Sequence, residues 1–346
     1  MFISDLKSRN YKILEAIILA YAESAIPIGS EYLRHSYKFG VSPATIRNVM
    51  ADLEEQGLVT HPHTSAGRGP TDRGYRYYVD LLMEPVRVKP EEEAAFNNFS
   101  HIKGEDEIEL LHHAAGLLSE LTHEAGIVLV PQLAQGSFRH LELILMDATE
   151  IVGVLIASEG MVRHARLDLQ EAVNEEELER IERFLNQELA GMPLAQIHSY
   201  LERSILQSTS AFFHLYKRAM DLLAEGPFFD EKSSILLEGT NWLFEAPEFQ
   251  DIQRMRRLIR GLENQTELME LLRRDVAADE VKLHIGSENR ATYLADCTIV
   301  AAPYRLHGGV SGAIGVIGPT RMNYPHVTVL VGKMAQAVSR AFQEQE

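Results

Sequence analysis

Three polar side chains that can bind nucleic acid lie within four residues of each other, in the stretch "SPATIRNVM" at 42–50. Arg47 carries a planar guanidinium that can donate two hydrogen bonds to a guanine, and Asn48 carries an amide that can bond an adenine. Thr45 can bond a phosphate oxygen or pack its methyl group on a thymine. This stretch contains no carboxylate, and acidic residues return only at Asp52. It therefore has the chemistry of a surface that contacts DNA.

A helix must present these side chains, and the same stretch begins one. Ser42 is a favoured cap residue, and Pro43 suits the first helical position. Apolar residues at helical spacing predict the face that packs on the core: Ile46, Val49, Met50 and Leu53. Arg47 and Asn48 then lie on or beside the opposite face, where the small Ala44 lets the helix approach a groove closely.

The neighbouring elements follow the order of a winged helix-turn-helix domain. Two helices are predicted before this one, over 8–22 and from a cap at Ser30, with a turn at Gly40. After it come the strand "LVTHP", an exposed tip "HTSAGRGP", a return strand and the helix "TDRGYRYYVDLLM". In such a domain the helix at 42–55 would enter the major groove.

The exposed tip would be the wing of this domain, and it adds candidate DNA contacts. Ser65 and Arg68 lie on the tip, and its small residues predict a flexible turn. Arg68 is long enough to reach a minor groove or a phosphate from there. Arg73 follows just beyond the tip. Gly67 and Gly69 are interpreted as turn residues.

The pattern alone leaves a second class of function open, because any three-helix bundle has an outward polar face. In this alternative the chain is a small-molecule- or protein-binding regulatory module whose winged helix makes contacts with protein. The net charge of the chain is −17, but the first 79 residues hold nine Lys/Arg and eight Asp/Glu. Only this N-terminal segment can approach a phosphate backbone without large repulsion.

No pattern in the sequence predicts a catalytic centre, a cofactor or a metal site, so we do not expect an enzyme. The segment around Ser311 lacks the second glycine of a nucleophile elbow. Gly312, Gly315 and Gly318 do not form a dinucleotide fingerprint and are better explained by tight strand packing. The single Cys297 is expected to be a buried small hydrophobe. The histidines are expected to be solvated or half-buried, including His61, His63, His112, His113 and His123.

Two C-terminal segments could hold a ligand, but structural roles are favoured for both. In "GPTRMNY", Arg321 and Asn323 precede the last helix, whose backbone donors could hold an anion. The favoured interpretation is an ion pair of Arg321 and a helix cap by Asn323. In "IGSEN", Glu288 and Asn289 are expected to be turn and capping residues.

The remaining sequence predicts an interrupted α+β region. The segment "EPVRVKPEEE" has two prolines and no apolar pattern, and it predicts a linker over 84–104. The strand patterns "HLELILM", "IVGVLIAS" and "VRHARLDL" predict an antiparallel meander. The segment "SSILLEGTNWLF" is also interpreted as a strand region. No run of eighteen apolar residues or leader-like N-terminus occurs, so a cytoplasmic protein without a membrane segment is expected.

Long motifs at both ends of the chain resemble one known family. The N-terminal "SPATIRNVMADLEEQGLVTHPHTSAGRGPTDRGYRYYVD" closely resembles the HrcA family of bacterial heat-inducible transcription repressors. The C-terminal "IGSEN" and "GGVSGAIGVIGPTRMNYPHV" are similar to that family's segments as well. The resemblance implies a multidomain α+β fold with a winged-helix domain at 1–83 and a GAF-like domain at 105–137 and 227–346. An inserted dimerisation domain would occupy 138–226.

The resemblance also implies a function. Members repress heat-shock chaperone operons by binding double-stranded operator DNA with an inverted repeat, as a homodimer. The GroE chaperonin is the partner that keeps the repressor active, and heat shock diverts it to unfolded proteins. The DNA contacts expected in this chain are Ser42, Ala44, Thr45, Arg47, Asn48, Ser65, Arg68 and Arg73.

Overall fold

The computed structural model has a mixed α+β, multidomain architecture in two units. It describes residues 2–61, 67–84, 86–102, 107–130, 137–147, 149–157, 162–168, 172–207, 217, 235–278, 280–306 and 311–343. Ser65 and His63 lie outside the described residues. The first unit comprises Met1–Leu129, Ile235–Tyr304 and Ala313–Ala341, and the second comprises Val130–Ser234 with two short C-terminal segments.

The N-terminal part of the first unit has three helices, two short paired strands and a further helix. In chain order these are α1 (Phe2–Ser24), α2 (Ser30–Ser36), α3 (Pro43–Glu55), β1 (Val59–Thr60), β2 (Gly69–Pro70) and α4 (Asp72–Leu81). Strands β1 and β2 pair antiparallel. Together with α3, they form a helix followed by a two-stranded ribbon.

Local chemistry explains where α3 and α4 begin. The Oγ atom of Ser42 accepts a hydrogen bond from the backbone N–H of Thr45 at 3.1 Å, which confirms the predicted cap. Thr71 caps α4 in the same way, accepting from the N–H of Gly74 at 3.0 Å. The hydroxyl of Thr71 also donates to the carbonyl of Gly57 at 2.7 Å. The four apolar residues predicted to face inward from α3 are all buried.

The segment predicted as a linker contains a packed helix, α5 (Pro90–Ser100). The carboxylate of Glu92 accepts from the N–H of Lys89 at 2.9 Å and so closes the first turn. Phe96 and Phe99, three residues apart, are both buried. The prediction failed here because two prolines and a run of charge obscured a short apolar stripe.

The rest of the chain supplies helices on a five-stranded sheet and a separate meander. The elements are α6 (Glu107–Thr122), β3 (Ala125–Leu129), β4 (Phe138–Asp147), β5 (Glu150–Ala157), β6 (Val162–Asp168), α7 (Glu175–Glu188), α8 (Leu194–Gln207), β7 (Ile235–Glu238), α9 (Asn241–Glu245), α10 (Ile252–Asn264), α11 (Thr266–Val276), β8 (Lys282–Ile285), β9 (Cys297–Arg305), β10 (Ser311–Pro319) and α12 (Tyr324–Gln343). The segment "SSILLEGTNWLF", predicted as a strand region, thus contains strand β7 and most of helix α9. The chain turns between them at Gly239, whose φ is +66°.

The five-stranded sheet has the order β7-β3-β10-β9-β8 and belongs to the first unit. Apolar side chains of its central strands, including Ile127 and Ile299, form a core with Leu258 of α10 and Leu272 of α11. Cys297 is buried in this core as predicted, and burial raises the pKa of its thiol. The thiol therefore stays protonated and behaves as a small apolar group.

Gly315 of β10 shows why the glycines recur in this strand. A Cβ atom at that position would collide with the carbonyl oxygen of Val300 on β9. Tight strand packing, as predicted for this glycine, is therefore required by the structure.

In the second unit, β4, β5 and β6 form the predicted antiparallel meander. The free edge of β4 is covered by side chains of α7. Asn186 accepts from the N–H of Leu141 at 2.7 Å and donates to its carbonyl at 2.8 Å. Glu182 accepts from the N–H of Leu143 at 2.8 Å. These bonds satisfy backbone groups that would otherwise be open to another strand.

Among the described residues, no helix combines the length and the apolar character that a membrane span requires.

Replacing Gly74 by alanine is expected to destabilise the first unit, because the new Cβ would collide with the carbonyl oxygen of Leu58. The expected loss in the free energy of unfolding is about 1–3 kcal/mol. Gly116→Ala is the matched control, since a Cβ at that position in α6 would have open space. It should be neutral or stabilise by roughly 0.5–1 kcal/mol. Denaturant titrations of both variants test this, and equal losses would contradict it.

Candidate nucleic-acid interface

The outward face of α3 is open to solvent and carries the predicted DNA-reading side chains. Ala44, Arg47, Asn48 and Ala51 are exposed, and Thr45 is half-buried. Within the described residues, Arg47 and Asn48 form no hydrogen bond or ion pair with another side chain. Both side chains are therefore available to an external partner.

The first turn of α3 is held by its own cap. The hydroxyl groups of Ser42 and Thr45 lie 3.0 Å apart, so one donates to the other. Both hydroxyls lie beside the N-terminal end of α3, where the helix dipole favours an anion. In this arrangement Ser42 and Thr45 fix the shape of the leading end of the helix, and its backbone N–H groups give that end a partial positive charge.

The sequence predicts Arg68 on a flexible tip, but in the structure its side chain and backbone are both held by other segments. Its guanidinium lies 2.8 Å from the carboxylate of Glu54 in the last turns of α3, and only 18% of its side chain is exposed. Its backbone forms two hydrogen bonds with Ile28, at 2.8 and 2.9 Å. The residue thus joins the ribbon to α3 and to the chain before α2. Pairing across 14 residues has no signature in the local sequence.

Gly67 also has a packing role rather than the predicted turn role. A Cβ atom there would collide with the carbonyl group of Pro27. The lack of a side chain lets the ribbon lie directly against the segment before α2. The ribbon is therefore anchored at its base by Gly67 and Arg68.

Arg73, in the first turn of α4, is exposed. Its guanidinium lies near Gly57, since Nη1 is 3.9 Å from the point that a Cβ on Gly57 would occupy. Gly57 has a φ of +71° and ends α3. Arg73 consequently lies at the opposite end of α3 from the cap.

Arg76, one turn further along α4, binds the loop after β8. Its Nε donates to Glu288 Oε1 at 2.7 Å, and its Nη2 donates to Oε2 of the same carboxylate at 2.5 Å. Nη2 also donates to the carbonyl of Leu283 at 2.8 Å. Asp72 accepts from the N–H of Ser287 at 2.8 Å. Helix α4 is therefore docked through charge-assisted hydrogen bonds on the sheet domain, which is the five-stranded sheet with the helices packed on it.

Glu288 and Asn289 have the turn and capping roles that the sequence predicts. Glu288 accepts from the N–H of Ile285 at 2.9 Å. The amide of Asn289 is buried and donates to nearby carbonyls, including those of Leu294 and Cys297 at 3.1 and 3.0 Å. The partnership of Glu288 with Arg76 was not predicted, because 212 residues separate them.

The ion pair predicted for Arg321 is confirmed. Its Nε donates to Glu248 at 2.5 Å, and its Nη1 donates to the carbonyl of Ala22 at the end of α1 at 3.1 Å. Asn323 accepts from the N–H of His326 at 3.4 Å, which is a long capping bond. Arg321 is therefore a second anchor between the N-terminal helices and the sheet domain.

His112 is half-buried, and His113 and His123 are exposed, as the sequence predicts for these histidines. His112 lies 2.6 Å from a carboxylate oxygen of Glu238, and His123 stacks on Trp242 with ring centroids 4.6 Å apart. Within the described ranges, no cluster of three or more His, Cys, Asp or Glu side chains could hold a metal ion.

The pair of Arg76 and Glu288 is expected to stabilise the first unit in a pH-dependent way. Burial alone would raise the pKa of Glu288, but hydrogen bonds from Arg76 and Ile285 lower it below its usual 4.5. A lowered folded-state pKa gives stability that is present above pH 4.5 and is lost as pH falls through the folded value. A double-mutant cycle with Arg76→Gln and Glu288→Gln should give a coupling of about 1–2 kcal/mol at pH 7.

The control for this cycle is Asp80→Asn, because Asp80 is an exposed partner of the same arginine at 3.2 Å. It should cost less than about 0.5 kcal/mol. Unfolding titrations at pH 7 and pH 3 measure all variants. A coupling that persists unchanged at pH 3 would contradict the assignment.

The chain is similar to known proteins over nearly its full length. A family model described as the HrcA protein C terminal domain matches residues 108–328. The heat-inducible transcription repressor HrcA of Geobacter sulfurreducens is 37% identical over 337 residues, which cover 97% of this chain and 98% of that protein. The repressor of the same name from Pelotomaculum thermopropionicum is 34% identical and covers 98% of this chain and 97% of its own length.

A solved crystal structure of a hypothetical protein shares the fold, with a TM-score of 0.68 and 23% identity over 98% of this chain and 99% of that one. The similar sequences are named as transcription repressors, which places this chain among regulators and not among enzymes. The chain belongs to the HrcA family of heat-inducible transcription repressors.

Proposed function

We propose that this protein represses heat-shock chaperone operons by binding an inverted-repeat operator as a homodimer. The observation that carries the proposal is the open face of α3, where Arg47 and Asn48 are exposed and form no bond with another described side chain. The family relation supports it, because the relatives are named as transcription repressors. In this proposal residues 1–83 are a winged helix-turn-helix domain.

Helix α3 is the proposed DNA-reading helix. Its leading turns enter the major groove, where Arg47 binds a guanine and Asn48 an adenine. Thr45 and Ser42 meet the phosphate backbone beside the helix N-terminus. Ala44 leaves room for the helix to lie close to the base edges.

The segment from β1 to β2 is the proposed wing. It would place Ser65 and Arg68 near phosphates beside the groove that α3 enters. Arg68 is already paired with Glu54, so it exchanges or shares this partner when DNA is bound. Arg73 adds a positive charge beside the C-terminal end of α3. These contacts position the domain on the duplex but carry little sequence information.

Dimer formation is the part of the proposal that explains an inverted repeat. A single winged helix buries little surface and reads few base pairs, whereas two copies related by a twofold axis read both half-sites. We assign dimerisation to the inserted domain at 138–226. The GAF-like domain at 105–137 and 227–346 then connects the dimerisation and reading domains.

The GroE chaperonin is the proposed partner that keeps the repressor active. When unfolded proteins occupy the chaperonin, the repressor without chaperonin no longer binds its operator, and the chaperone genes are transcribed. This step rests on the family resemblance. The recovery of operator binding after heating, with and without chaperonin, tests it.

Replacing Arg47 by alanine should weaken operator binding by about 1–3 kcal/mol and relax base preference at one position of each half-site. The control is Arg256→Ala, because Arg256 is an exposed arginine of α10 outside the proposed interface. Gel-shift titrations on an inverted repeat, with a single half-site duplex for comparison, measure both. The Arg47 variant could instead bind with unchanged affinity and show no preference for the full repeat over the half-site. That result would favour the alternative in which the winged helix contacts protein.

Replacing Arg68 by alanine should weaken specific and nonspecific binding alike and lower the salt slope of log K by about 1, because one phosphate contact is lost. Glu54→Gln should strengthen binding at low salt, since it removes the carboxylate that competes for this guanidinium. Titrations over a series of salt concentrations separate the two roles of Arg68. A weaker complex with an unchanged slope would leave Arg68 with only a structural role.

A further inference from the structure

A cavity of about 270 Å³ opens in the first unit where the end of α1 meets the sheet domain. Its lining includes Ala22 of α1, Glu124 before β3, and Trp242 and Glu245 of α9. Arg321, which binds the carbonyl of Ala22, lies in the same lining. The cavity is small for a ligand site, so its occupant must be small.

Among the residues that the structure describes, two carboxyl groups in the lining of this cavity lack a partner. Arg321 is the cation of the lining, and its charge is matched by the ion pair with Glu248 at 2.5 Å. Within the described residues, neither the carboxyl group of Glu124 nor that of Glu245 forms a hydrogen bond or an ion pair. When ionised, these two carboxyl groups have no cationic partner of their own in the described part of the chain, so a positively charged occupant would supply one.

The side chain of Glu124 is half-buried. It is packed over the backbone of Gly318, where any Cβ atom would collide with it. Burial raises its pKa from 4.5 to about 8. The negative charge of Glu248 adds to this rise, and the positive charge of Arg321 offsets only part of it. Ionising a partly desolvated acid without a hydrogen-bond partner is costly unless a partner enters the site.

An aromatic surface adjoins the acids. The rings of His123 and Trp242 lie nearly parallel, with an interplanar angle of 9° and centroids 4.6 Å apart, and both residues line the cavity. An indole attracts a cation through its ring electrons. Carboxyl groups beside an aromatic ring are the combination that recognises an organic ammonium group.

We propose that this cavity binds a small organic cation of the alkyl-diamine class, with one ammonium group on Glu124 and Trp242 and the other toward Glu245. Donor sets for a metal ion are absent from the described part of the chain, which favours an organic cation over a metal. The site lies beside the anchor of α1 and is separate from the proposed DNA-reading face. Its test does not depend on DNA binding.

Isothermal titration calorimetry of the full chain, with 1,4-diaminobutane as the probe, tests the proposal. Comparison probes are n-butylamine, uncharged 1,4-butanediol and the dianion succinate. The diamine should bind most tightly, n-butylamine more weakly, and the two others not measurably. Binding of butanediol or succinate as tight as that of the diamine would overturn the proposal, as would the absence of diamine binding at millimolar concentration.

Proton release provides a second measurement on the unmodified protein. Because a bound cation favours ionised Glu124, roughly 0.9 proton should leave per diamine at pH 7, measured in buffers of different ionisation enthalpy. The affinity should rise roughly fivefold from pH 7 to pH 8. The other charged groups that face the site are Arg321, its partner Glu248, Glu245 and the exposed His123.

Variants identify the residue responsible. Glu124→Gln keeps the shape of the side chain, and it should weaken diamine binding at least tenfold and abolish the proton release. Glu263→Gln, which removes an exposed carboxylate of α10 outside the cavity, should leave both unchanged. Circular dichroism melts confirm that both variants fold. Wild-type affinity in the Glu124 variant would refute the site.

Discussion

The docking of α4 on the sheet domain is the interaction on which the rest of the first unit depends. Arg76 and Glu288 meet with two parallel hydrogen bonds, and the rings of Tyr75 and Tyr324 pack with centroids 5.4 Å apart beside them. Partly buried, bidentate pairs of this kind set orientation as well as adding stability. Since α4 follows the ribbon after α3, this contact ties the N-terminal helices to the sheet.

A protein with a net charge of −17 can still present a surface for DNA if charge is arranged locally. In α3 the leading turns have no acid, while Glu54 near the other end is matched by Arg68. The same arginine ties the ribbon to the helix. In the proposed interface, this local pairing would limit repulsion from phosphates and hold the ribbon against α3, which would lower the entropic cost of binding.

Short-range patterns predicted most of the elements and the exposed face of α3. The cap at Ser42, the buried face of α3, the meander and the last helix follow from spacing over a few residues. The linker prediction failed because α5 depends on packing: Glu92 meets His326 of α12 at 3.0 Å, and Lys333 meets Glu93 at 2.9 Å. Partners more than 200 residues away leave no mark on local composition.

The sequence by itself determined which side chains lie on the outer face of α3, because helical periodicity and a strong cap suffice for that. It also determined the family, through motifs at both ends of the chain. Only the tertiary structure decided that Arg68 is held by Glu54, that Arg76 binds Glu288, and that Glu124 faces a cavity. Each of these depends on a distance between segments that are far apart in sequence, and such distances are set by the packing of the whole unit.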